Sequence, residues 1–147
     1  MNTRPTLMAI ILLISVSLSA QQQSPPMTLQ DANKVLPHKF KELKTGATLE
    51  AVRGQRSVTV YMLIDDIEQY DEILVERSDE QMNFGQCKVI KIEKGKYPNN
   101  YLEIVDNYPL PTKVSNVYRI KAVTSEGIMR MFPAVPITYQ EEPKAKK

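Results

Sequence analysis

At 147 residues the chain is sized for one domain, and its 19 basic and 17 acidic side chains nearly cancel, to a formal charge of +2. That balance excludes the dense basic footprint that nucleic acid requires. A single cysteine, Cys87, excludes an intrachain disulfide, so the fold has to stand on its hydrophobic core.

The first predicted element is an export signal. Arg4 is the only charge in residues 1–20, an apolar run follows from Leu7 to Val16, and Ser17-Leu18-Ser19-Ala20 supplies a small-residue cleavage site. The run is shorter than the ~20 apolar residues that span a bilayer. A buried N-terminal helix is the alternative, disfavoured by the polar Gln21-Gln22-Gln23-Ser24-Pro25-Pro26 that comes next. Cleavage after Ala20 leaves 127 residues with 18 basic against 17 acidic side chains. No cysteine stands near that point to carry a lipid anchor. The expectation is an exported protein, periplasmic or extracellular at the cell surface, and not membrane-spanning once the signal is removed.

Residues 21–43 read as a leader. Thr28 and Asp31 have capping-box spacing ahead of Ala32 and Val35, which predicts a short helix over 29–35, ended by Pro37. From Leu43 onward short β-rich runs alternate with turn residues. Seven strands are predicted, over residues 48–52, 57–64, 72–77, 86–93, 101–105, 116–123 and 128–135. In the second, Val58, Val60, Met62 and Ile64 alternate with Thr59, Tyr61 and Leu63, and such a period of two sends one set to each face. Ile73 with Val75, Leu102 with Ile104, and Tyr118 with Ile120 and Ala122 give matching inward columns. Short strands without long helices predict an all-β, seven-stranded antiparallel sandwich over residues 44–137. Pro133 and Pro136 mark the last strand as an edge or a bulge. Residues 138–147 form a charged tail expected to be disordered.

Tyr70 through Ser78, Asn83-Phe84, Tyr101 through Asp106, and Tyr118-Arg119-Ile120-Lys121-Ala122-Val123 ahead of Glu126-Gly127 together resemble a fibronectin type III-like domain, an immunoglobulin-like fold. They look most like the variant found in exported surface proteins of Bacteroidetes, and the resemblance covers residues 44–135. Met62 stands where that family usually has Trp, and Val117 where it has the first Tyr of a late pair. The resemblance implies a protein-interaction or spacer module of the cell envelope, with Tyr118 in a structural role like a tyrosine corner. Long relatives often carry a C-terminal sorting domain. No room remains for one after Val135, which favours a periplasmic or envelope location.

No motif for catalysis, a cofactor or a metal is present, so no enzyme activity is expected. His38, the only histidine, sits in the leader. Four acidic residues, Asp65, Asp66, Glu68 and Asp71, crowd the loop after the second strand, where carboxylates are candidate calcium ligands or simply a solvated connection. Lys88, Lys91 and Lys94 lie on or just after the fourth strand. They form a candidate patch for an acidic glycan or protein, or a guard against edge-to-edge pairing. Residues 127–132 present alternating faces rich in Met and Phe; one face is expected to be core and the other is a candidate docking strip for a partner strand, with core packing alone as the alternative. The predicted partner is another envelope or surface protein, through strand edges or loops. The competing reading is a carbohydrate-binding module of sandwich shape that uses Tyr61, Tyr70, Tyr97, Tyr101 or Tyr108, a reading lowered by the absence of Trp.

Overall fold

The computed structural model describes residues 27–79, 82–111 and 116–139. The predicted signal peptide and most of the charged tail lie outside the described residues.

Helix α1 occupies Leu29–Val35. Thr28 caps it by accepting a hydrogen bond from the Asp31 amide at 3.2 Å, and the Thr28 hydroxyl donates to the Asp31 carboxylate at 2.5 Å. Among the described residues eight strands follow: β1 (Ala47–Arg53), β2 (Val58–Ile64), β3 (Tyr70–Ser78), β4 (Phe84–Lys91), β5 (Tyr101–Asp106), β6 (Val117–Thr124), β7 (Met129–Met131) and β8 (Val135–Tyr139). Alternation builds the core. Val58, Val60, Met62 and Ile64 of β2 are fully buried, against Ile73 and Val75 of β3 and Tyr118, Ile120 and Ala122 of β6. Each aliphatic side chain so buried contributes on the order of 1.5–3 kcal/mol of transfer free energy.

The strands form one hydrogen-bonded path, β4-β3-β6-β8-β1-β2-β5, with β7 attached to β6 alone among the described residues. Strand β8 joins the two halves. It runs antiparallel to β6 at Val117↔Pro136 and Tyr118↔Val135, then parallel to β1 from Ala51↔Ile137 to Arg53↔Tyr139. The two ends of the path also approach each other, since the Lys88 ammonium on β4 donates to the Val105 carbonyl on β5 at 3.1 Å.

This overturns the seven-stranded antiparallel, fibronectin type III-like sandwich. The sheet is mixed, continuous and almost closed into a barrel. The physical cause lies in the last predicted strand. Residues 128–135 do not run as one strand, because the chain leaves β6 after Phe132, which is buried and still donates its amide to Ile120, and turns at Pro133, whose ring fixes φ. The freed segment then pairs with β1 in parallel. Residues 138 and 139, assigned to the tail by sequence, belong to β8.

The leader packs back on the sheet. Ala32, Leu36 and Phe40 form a second apolar cluster with Leu43, Tyr61, Leu63 and Tyr101, on the outward side of β1, β2 and β5. The Asn33 side chain closes this strap, donating to the Phe40 carbonyl at 2.9 Å and accepting from its amide at 2.8 Å.

Candidate functional site

Inside the barrel the polar centre is Asp106 at the end of β5. Its carboxylate accepts from the Tyr118 hydroxyl at 2.8 Å, from Arg77 at 2.6 Å and from the Tyr108 amide at 3.0 Å, and Arg77 also donates to the Tyr108 carbonyl. Burial by itself raises the Asp106 carboxyl. The hydrogen bonds from Tyr118, Tyr108 and Arg77, with the Arg77 charge, outweigh it and hold the group below the usual carboxylate range. Burial first, and then Asp106, push the Tyr118 hydroxyl up. The three donors converge on one carboxylate, so the cluster ties β3, β5 and β6 together. Cys87 packs beside the core, donates to the Val75 carbonyl at 3.4 Å and is pushed up to about 11, chiefly by burial and then by Asp106. A thiol so placed is mostly protonated at neutral pH, the unreactive form.

Glu76 and Arg77, adjacent in sequence, point to opposite faces, as a strand requires. Arg77 goes in to Asp106. Glu76 goes out, and accepts from Arg119 at 2.5 Å and Lys121 at 2.6 Å, with the Arg119 guanidinium 3.7 Å over the Phe84 ring. Burial opposes the Glu76 charge, but these two cations still bring its carboxyl below the usual value.

The structure brings the acidic loop and the lysine turn to one end of the molecule. Glu68 accepts from the Gly95 amide at 2.6 Å, and the Asp71 carbonyl accepts from the Ile92 amide at 2.8 Å. Asp65 accepts from the Gly46 amide at 2.8 Å. Two of the four loop carboxylates therefore brace neighbouring loops. Asp66, in the left-handed region at φ 49°, and Asp71 face solvent. Among the described residues no group of three or more His, Cys, Asp or Glu side chains is arranged to hold a metal ion. Adding calcium, or a chelator, is expected to leave the melting temperature unchanged; a rise on adding calcium contradicts this reading of the loop. Lys91 and Lys94 are exposed near this end, whereas Lys88 leans across to β5.

His38 is not isolated. Its ring stacks on Tyr61 at 3.8 Å, 5° from parallel, and its Nε2 lies 2.8 Å from Glu50, which also accepts from the Lys41 amide. The strap thus covers Tyr61, and Phe40 packs edge-on to Tyr101.

The outer face of β3, β6 and β7 is different in kind. Met129 and Met131 are 55% and 54% exposed on this face, opposite Val123 and Lys121, and Ile128, 60% exposed, precedes them in the turn. Arg130, between the two methionines, lies over the Phe132 ring and donates to the Tyr70 hydroxyl at 3.4 Å. It has no carboxylate partner among the described residues. Sequence reasoning left residues 127–132 between core packing and a docking strip, and it did not separate Arg130 from its neighbours; the alternation Met-Arg-Met was the available signal.

No family model matches the chain, and no curated protein matches it. Among solved structures it is similar to one described as the crystal structure of pectate lyase PelI from Erwinia chrysanthemi in complex with tetragalacturonic acid. The two share 12% sequence identity at a TM-score of 0.49, over 63% of this chain and 28% of that one. The chain therefore spans under a third of that protein, and at this level the likeness carries no argument about activity.

Proposed function

We propose that this chain is a non-catalytic protein-interaction module, exported and working at the cell envelope or surface. The observation that carries the reading is the set of exposed aliphatic side chains on and beside β7. Isolated surface apolar residues are ordinary, but a row of them rimmed by charge marks contact with another protein. The same geometry weakens the carbohydrate alternative. Sugars stack on open aromatic faces, and here Tyr61 lies under His38, Tyr70 is buried, and Tyr97 and Tyr101 are half-covered. Of the five candidate tyrosines only Tyr108 stands well out, at 84% exposure.

The test places a photo-crosslinking residue at Met129, and a control at Arg56 in the β1–β2 turn, in the chain expressed in its native host. A discrete protein adduct from position 129 alone supports the module. Adducts only with polysaccharide, or equal adducts from both positions, contradict it.

A further inference from the structure

Among the described residues strand β7 has no partner on its outer edge. In an antiparallel ladder, directly opposed residues alternate between pairs that exchange backbone hydrogen bonds and pairs that do not. The Phe132 amide donates to Ile120 and the Thr124 amide to Ile128, each at 2.9 Å, with Ala122 opposite Arg130 between them. Met129 and Met131 fall at the non-bonded positions, so their amides and carbonyls are directed away from β6. Of the two ends of the sheet path, β4 carries Lys88, Lys91 and, just beyond, Lys94, a pattern that resists strand addition, and β5 is approached by Lys88, which donates to its Val105 carbonyl. No lysine stands in β7.

We infer that the open edge of β7 takes an extended segment of a partner protein as an added antiparallel strand, with an acidic side chain opposite Arg130 and apolar side chains on either side of it. This rests on the protein-binding reading above. The pattern follows from the alternation. The backbone groups of Met129 and Met131 make the ladder, and the partner residues opposite them lie on the outer face against the two methionine side chains. The partner residue opposite Arg130 occupies a non-hydrogen-bonded pair, where side chains come closest, and an acidic side chain there draws the guanidinium from its 3.4 Å contact with the Tyr70 hydroxyl; among the described residues no carboxylate pairs with it. The same rule disfavours a second copy of this chain. A two-fold axis centred on β7 sets Arg130 directly against its own counterpart, and like charges so placed are destabilising.

The probes are two acetylated, amidated peptides, Thr-Val-Glu-Val-Thr and its twin with Lys at the centre, titrated into the full chain at low ionic strength and followed by amide hydrogen exchange. The Glu peptide is expected to bind at least about tenfold more tightly than the Lys peptide, as a differential of ~1.4 kcal/mol implies, and to slow exchange at Met129 and Met131. Arg130→Glu is expected to reverse the preference and Arg130→Gln to abolish it. Equal binding of the two peptides overturns the inference, as does unchanged exchange at both amides or a concentration-dependent dimer through β7. A partner protein crosslinked from another face, with the β7 amides unprotected, sinks strand addition while leaving the protein-binding reading in place.

Discussion

Replacing Asp106 by alanine is expected to destabilise the fold by ~3 kcal/mol or more, because it leaves the Arg77 charge without its carboxylate and the buried Tyr118 hydroxyl without its acceptor. The carboxylate is 9% exposed and serves three donors from three segments, so no neighbouring group replaces it and water reaches it poorly. Tyr118→Phe removes one hydrogen bond and keeps the ring, and is expected to cost about 1 kcal/mol. The two urea denaturation midpoints, read with unchanged slope, separate the cases. The pH dependence follows with a definite sign. The Asp106 carboxyl sits lower in the folded chain than in the unfolded one, so the unfolded chain binds the proton first as pH falls. Its contribution is complete above the ordinary carboxylate range near pH 4 and is lost as pH drops through that range and below. Glu76 acts with the same sign. Asp106→Asn is expected to flatten the acid limb of the stability curve; an acid limb as steep as in the parent chain contradicts the assignment.

Replacing Phe40 by alanine is expected to release the leader before the sheet unfolds. Phe40 is buried in a cluster separate from the main core, and truncating a buried phenyl ring costs on the order of 3 kcal/mol. That exceeds what one stacked histidine, its hydrogen bond with Glu50 and the Asn33 clasp return to a strap of this length. Limited proteolysis is expected to cut within residues 28–43 many times faster in Phe40→Ala than in the parent, while β1 to β8 stay intact. Tyr61 and Tyr101 then become solvent-exposed and their near-ultraviolet dichroism falls. An unchanged cleavage pattern, or simultaneous loss of the whole fold, shows that the strap is not a separate unit.

The parts of the molecule that were legible in the sequence are those fixed by local periodicity. Val58, Val60, Met62 and Ile64 announce an inward column because a strand has a period of two, and the Thr28–Asp31 spacing marks a helix start because a helix has a fixed rise. What was not legible depends on contacts distant along the chain. The parallel pairing of Ala51 with Ile137 converts separate sheets into one path, and nothing in either segment announces the other. Phe132 and Pro133 split a run whose apolar pattern looked continuous. Glu76 and Arg77 are neighbours in sequence, and only the strand shows that one reaches Arg119 and the other Asp106 on opposite faces. Asp106 carried no local cue at all, since its partners come from β3 and β6. The acidic loop and the lysine turn looked like separate patches, and the Glu68–Gly95 hydrogen bond joins them. His38 looked solitary because Tyr61 and Glu50 reach it only when the leader folds back.

The open edge of β7 is tested most directly by residue-resolved amide hydrogen exchange on the free chain. The ladder pattern predicts slow exchange at Ala122 and Arg130, which bond to each other across β6 and β7, and fast exchange at Met129 and Met131. Protection of Met129 and Met131 equal to that of Arg130, in the absence of any partner, contradicts a free edge and with it the proposed docking strand.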